Sequence, residues 1–305
     1  MIRKIHKIDL ANLAPERLAA ISRLFSSSVV REMARTGKSA MFARLVKSSR
    51  LMDSLSEVKL VSGFFEEAFS LLKREGFRHE YIYKAALTHK VLLGTHSLQT
   101  ASMLTEFRVG ECKADVAILN GTATVYEIKS ERDSLKRLDK QVAAYATVFA
   151  SVNVIAAEAH IDAVLKLVPK DVGVMCLNGR YNISTMREAT YSPERTSPAA
   201  IFDSIRTGEA GLILKSLSVS IPEVPNTRLN SVLRDQFIQL SPVQAHYGMV
   251  QVLKRTRNLL PLSELVAQLP QSLQSAALTI QMRKVDHARL VGAVNTPLED
   301  ALACR

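Results

Sequence analysis

In TVYEIKSERDSLKRLDKQVAAY, residues 124–145, two charged side chains interrupt a run that otherwise reads as a buried strand: Glu127 and Lys129 stand among Val125, Tyr126 and Ile128. Burying either charge is costly unless it is paired or put to use. Side chains alternate along a strand, so Glu127 and Lys129 share one face while Tyr126 and Ile128 take the other. A local ion pair on a half-exposed strand is the bland explanation. The preceding segment, EFRVGECKADVAIL, offers a chemical one.

A two-residue Gly110-Glu111 turn sets Val109 opposite Cys112, and counting outward puts Glu106 opposite Asp115. The next turn decides whether Asp115 and Glu127 meet. A two-residue Asn120-Gly121 turn would pair Asp115 with Tyr126 and send Glu127 to the other face. A three-residue loop, Leu119-Asn120-Gly121 with Gly121 left-handed, pairs Asp115 with Val125 and makes Glu127 its diagonal neighbour. An odd-length loop or a bulge is therefore expected. Glu106, Asp115, Glu127 and Lys129 then converge within roughly 7–8 Å. Three carboxylates so close repel without a cation, and hard oxygen donors suit Mg²⁺ or Mn²⁺ over zinc. Such an ion binds a scissile phosphate and acidifies a water; Lys129 would hold that water or the phosphate.

These residues resemble the PD-(D/E)XK nuclease superfamily: Asp115, then Glu127-Ile128-Lys129 on the following strand. Gln141 and Tyr145 resemble the Q-x-x-x-Y helix of its RecB-like members, and residues 64–180 resemble an uncharacterised bacterial family assigned to the superfamily. Ala114 stands where the pattern often has Pro, which removes no ligand. The resemblance implies a restriction-endonuclease-like mixed sheet flanked by helices. It also implies Asp115 and Glu127 as metal ligands, beside the Glu106 that the hairpin register brings there, with Gln141 orienting Lys129 or touching the nucleic-acid backbone beside Tyr145. Members often add a Glu from the helix before the sheet; Glu80 is the candidate here, with Glu66 and Glu67 behind it. The bland alternatives are a solvated helix acid for Glu80 and a polar position beside an apolar stripe for Gln141.

The elements that must carry these residues are legible as patterns. MLTEFRVG, KADVAIL, TVYEIK, VNVIAA and VGVMCL read as strands, and Asn178-Gly179 as a hairpin turn into YNISTM. LDKQVAAYATVF reads as a helix, with Leu135, Leu138, Val142, Tyr145 and Phe149 at spacings of three and four and Ser130 as its cap. The expected organisation is a basic helical region over 1–60, an α/β core over 61–190, and a helical region over 191–305 after Pro-rich connectors.

The 305 residues are 47% hydrophobic, enough for a sizeable core, and carry a net charge of +11. Residues 1–50 hold eleven Lys+Arg against three Asp+Glu. That excess favours a polyanion, DNA first and RNA second, and Arg31, Arg35 and Lys38 are the candidate contacts. Aromatic content of 6% without Trp disfavours base stacking as the main mode.

Cys112, Cys176 and Cys304 lie too far apart for a disulfide framework or a C-x-x-C site. The opening MIRKIHKIDL lacks an apolar leader core and no run is long enough to span a membrane, so a cytoplasmic protein is expected. TGKSAM has Glu32 where a phosphate-binding loop needs Gly, the histidines lack paired-ligand spacing, and no Gly-x-Ser-x-Gly elbow occurs. The expected activity is metal-dependent phosphodiester hydrolysis. A non-catalytic nucleic-acid-binding module, or a defence-system interaction protein on the same fold, is the alternative.

Overall fold

The computed structural model describes residues 14–55 and 57–303; the MIRKIHKIDL opening and Cys304 lie outside them. The chain starts with helices α1 (Pro15–Arg23), α2 (Ser27–Thr36), α3 (Ala40–Ser49), α4 (Val61–Leu72) and α5 (Glu80–Ala86). Pro15 opens α1, where its missing N–H costs nothing. Next come strands β1 (Ser102–Val109), β2 (Cys112–Leu119) and β3 (Ala123–Lys129), helix α6 (Leu138–Ala146), β4 (Ser151–Ala156), α7 (Ile161–Leu167), β5 (Gly173–Leu177) and β6 (Ile183–Arg187). Helices α8 (Pro198–Ser204), α9 (Thr207–Ser216), α10 (Asn226–Phe237), α11 (Pro242–Thr256), α12 (Ser263–Gln268), α13 (Gln271–Thr279), α14 (Lys284–Val294) and α15 (Leu298–Leu302) follow. None of the helices is long and apolar enough to cross a membrane among the described residues.

Two compact units divide the chain: residues up to 85 together with those from 262 onward, and residues 86–261. The first is helical. Its centre is aromatic, with Phe42 packed on Phe65 at 5.2 Å and edge-on to Phe64 at 5.8 Å, and Phe25 edge-on to Phe65. Its late segment is tied to its early one by the Tyr81 hydroxyl donating to the Ser272 carbonyl at 2.6 Å and by a bridge from Leu60 to Pro297.

The second unit is α/β. Its six strands lie in chain order; β1–β2, β2–β3 and β5–β6 are antiparallel, and β3–β4 and β4–β5 are parallel. The two parallel steps need crossovers, which α6 and α7 supply. Val125, Val152, Val154 and Val174 of the sheet bury one face against Val142, Tyr145 and Val164. Ile201, Phe202, Ile213, Leu214, Phe237, Met249 and Leu253 of α8 to α11 complete that same core.

Three local readings are corrected. The β5–β6 hairpin has a five-residue loop, Asn178 to Asn182, because the Asn178 side chain accepts from the N–H groups of Arg180 and Asn182. Tyr181 takes the left-handed conformation there, at φ 60°. Ser130 does not cap α6: its N–H and hydroxyl both bind Asp133, at 2.7 and 2.6 Å, and the helix begins only at Leu138. The β2–β3 loop is odd-length as expected, but consists of Asn120-Gly121-Thr122, since Leu119 pairs with Ala123. Gly121 is left-handed at φ 68°, and the Asn120 N–H bonds the Thr122 carbonyl.

Candidate active site

That loop sets the register on which the site depends. Val116 pairs with Tyr126 and Ala117 with Val125, so continuing the count brings Asp115 across from Glu127, two residues beyond the expected Val125. Both carboxylates keep one face. The ladder stops at Val116, and the Asp115 carboxylate replaces the next rung by accepting the Ile128 N–H at 2.8 Å. A backbone donor at the end of the ladder is thereby satisfied by a side chain.

On the other side, Val109 pairs with Cys112 and Phe107 with Ala114, the expected register. Pairing breaks at Glu106, which adopts φ 55°, a conformation few side chains tolerate. Core residues Leu104 and Phe107 of β1, and Ala114 and Ala117 of β2, belong to one cluster although simple alternation would separate them. The hairpin therefore changes facing across Glu106 and Asp115. A carboxylate oxygen of Glu106 comes within 4.8 Å of one of Asp115, while Lys113 bridges to Glu106 at 2.9 Å.

Glu127 and Lys129 are buried, at 2% and 7% exposure. Burial is tolerable because every polar group is matched. The Lys129 ammonium donates to Glu127 Oε1 at 2.7 Å and to Gln141 Oε1 at 3.0 Å. The Gln141 amide donates to the same Glu127 Oε1 at 2.6 Å. Tyr145, fully buried one turn further along α6, sets its hydroxyl 2.8 Å from Glu127 Oε2 and 2.9 Å from the Lys113 carbonyl. Burial first, then the charges of Glu127 and Asp115, push the Tyr145 hydroxyl far above the usual tyrosine range, so it stays a proton donor. Spacing of four on a helix is what lets Gln141 and Tyr145 reach one carboxylate together.

Asp115, Glu106, Glu127, Lys129, Gln141 and Tyr145 thus gather at one end of the hairpin. Glu80 belongs to the first unit, at the start of α5, where it pairs with Lys84 at 2.5 Å. Arg31, Arg35 and Lys38 also lie in the first unit, exposed on α2 and the turn after it. Sequence reasoning overlooked Lys113, whose side chain and carbonyl both serve the site. Its position two residues before Asp115 was the available signal, although the change of facing at Asp115 takes the Lys113 side chain off that alternation.

The donor set fits a hard divalent cation. Glu106 and Asp115 bring carboxylate oxygens, the donors such an ion takes, within 4.8 Å of each other, and Lys113 and Lys129 pair with Glu106 and Glu127 beside them. Glu127 Oε2 has one donor and so retains acceptor capacity.

Residues 73–244, which include Glu106, Asp115, Glu127, Lys129, Gln141 and Tyr145 but not Arg31, Arg35 or Lys38, match the model of a family described as bacteriophage P4 protein cII. Protein cII of Enterobacteria phage P4 is 36% identical over 98 residues, which are 32% of this chain and 33% of that protein. The chain thus aligns with about a third of the curated relative's length. Among solved structures, the SPO1766 protein of unknown function from Silicibacter pomeroyi is 20% identical, with a TM-score of 0.28 over 39% of this chain and 81% of that one.

Proposed function

We propose that this chain, which belongs to the bacteriophage P4 protein cII family, is a metal-dependent nuclease that hydrolyses phosphodiester bonds of nucleic acid, with DNA as the first substrate to test. The observation that carries the reading is the buried Glu127–Lys129 pair on β3, held by Gln141 and Tyr145 and flanked by Asp115. A structural ion pair would be complete without Gln141, Asp115 or Glu106. Antiparallel β1–β2–β3 followed by parallel β4 across the crossover helix α6 supports a restriction-endonuclease-like core.

Asp115, Glu106 and the remaining acceptor capacity of Glu127 Oε2 would hold Mg²⁺ or Mn²⁺, which supplies Lewis acidity at the phosphate and an acidified water. Lys129 stabilises the charge that develops on the phosphate. Gln141 holds the Lys129 ammonium and the Glu127 carboxylate in one geometry, so neither must reorganise during reaction. Tyr145 and the surrounding Val142 and Val154 exclude water behind Glu127. Arg31, Arg35 and Lys38 supply positive charge for the polyanion.

Asp115→Ala and Glu127→Gln should abolish Mn²⁺ binding and cleavage, with circular dichroism unchanged. Lys129→Ala should retain Mn²⁺ and lose turnover by roughly 10²–10³-fold. Wild-type protein that binds Mn²⁺ but cuts no DNA or RNA of any topology would replace this reading with a non-catalytic binding module. Variants that cut as well as wild type would overturn the site.

A further inference from the structure

The charge excess near the start of the chain is organised by the helix pair α2 and α3. Helix α2 ends at Gly37, left-handed at φ 76°, whose N–H returns to the Met33 carbonyl at 2.8 Å. Three residues, Gly37-Lys38-Ser39, separate it from α3, and Ser39 caps α3 by accepting the Phe42 N–H at 2.9 Å. Glu32, the one acid between Ser27 and Arg50, fastens this turn. Its carboxylate takes the Ser39 hydroxyl at 2.5 Å and the N–H groups of Ala40 and Met41 at 3.3 and 3.4 Å. A carboxylate at a helix N-terminus is favourable on its own account. Beyond the turn α2 packs on α14 while α3 packs on α1. A short Gly-containing turn between two helices with different packing partners follows the plan of a helix-turn-helix.

Six cations stand on this element: Arg31, Arg35, Lys38, Arg44, Lys47 and Arg50. All are exposed, and none has an ion-pair partner among the described residues. On α3 the outward positions are Arg44, Lys47 and Ser48, one turn apart and free of apolar bulk, whereas Phe42, Leu45 and Val46 face inward.

We propose that α2, its turn and α3 form a docking element for B-form duplex DNA. Helix α3 enters the major groove, Arg44 reaches base edges, and Arg31, Arg35, Lys38 and Lys47 contact phosphates. The major groove of B-form DNA admits a helix, whereas that of A-form RNA is too narrow, which selects the duplex type. Glu32 is a positioning residue, holding α3 at its angle to α2. The inference rests on the nucleic-acid reading above and names the partner for one part of it.

The test is fluorescence anisotropy in EDTA with 20-base-pair duplex DNA, the matching duplex RNA and the single strand, at several salt concentrations. Duplex DNA should bind at least tenfold tighter than either alternative. Arg44→Ala/Lys47→Ala should weaken it about tenfold or more, and should reduce the salt slope by about 0.9 for each lost phosphate contact. Glu32→Ala separates geometry from charge: it makes the element more positive, so general attraction predicts tighter binding, whereas loss of the clamp predicts weaker binding, restored in part by Glu32→Gln. Equal affinity for duplex DNA and RNA, an unchanged Arg44→Ala/Lys47→Ala variant, or a tighter-binding Glu32→Ala would each overturn the inference. Metal-dependent cleavage is read separately, so DNA binding without cleavage sinks the nuclease and leaves this element standing.

Discussion

Glu127 is satisfied from three directions, by Lys129 and Gln141 on one oxygen and by Tyr145 on the other. The energetic consequence differs from the catalytic one. Breaking a buried pair by removing one partner leaves a desolvated charge, a loss of about 3–5 kcal/mol, whereas neutralising both partners is far less costly. Lys129→Met should therefore lower the urea-unfolding free energy by about that amount. Adding Glu127→Gln to Lys129→Met should recover much of the loss while the protein stays inactive. A double variant no more stable than Lys129→Met would mean that Glu127 gains nothing from the pair. The sequence made Glu127 and Lys129 conspicuous as charges in an apolar run; it did not reveal that Tyr145 shares its hydroxyl between Glu127 and the Lys113 carbonyl, because that contact joins residues 32 apart.

At the scale of elements, the β2–β3 loop controls whether a site exists. Its three residues, Asn120-Gly121-Thr122, put Asp115 and Glu127 on one face. Deleting Thr122 leaves a two-residue Asn-Gly turn, which is a favourable hairpin in itself but shifts the register by one and reverses every side chain of one strand. That deletion should abolish Mn²⁺ binding and depress the melting temperature sharply, since Val125 would leave the core with Glu127. Thr122→Ala, which keeps the loop length, should preserve Mn²⁺ binding. A deletion variant that binds Mn²⁺ like wild type would show that the carboxylates do not act through a shared face. Parity was legible from the need to bring two acids together. The two-residue difference from the expected pairing was not, because loops 119–121 and 120–122 both have three residues and both contain the left-handed Gly121, so parity does not choose between them.

At the scale of the whole molecule, acid sensitivity has an identifiable contributor. His246 on α11 is fully buried with neither ring nitrogen hydrogen-bonded among the described residues, and burial pushes it down to about 4. Above the unfolded value of 6.5 both states are neutral and the group contributes no pH dependence. As pH falls from there, the unfolded chain takes a proton that the folded chain refuses until about 4, so stability is lost across that window. The loss amounts to about 3 kcal/mol at most. His246→Leu should flatten the fall in urea-unfolding free energy between pH 7 and 4.5. An unchanged slope would assign the acid sensitivity to other groups, such as Glu209, whose carboxyl Arg257 and the Arg206 N–H hold below its usual range against the opposing effect of burial.

By itself the sequence determined the strands, the charged pair on β3, the apolar stripe of α6 and the basic opening region. Each of these is a local pattern in which spacing of two, three or four residues dictates which side chains share a face. Tertiary structure decided what those patterns amount to. Helices over 198–256 close onto the sheet's core, while those over 263–302 join the first unit, because burial of apolar area depends on which surfaces meet and not on their order along the chain. The same reason explains the site: the left-handed Glu106, the rung supplied by Asp115 and the Tyr145 hydroxyl at Glu127 are responses to neighbours that no local window contains.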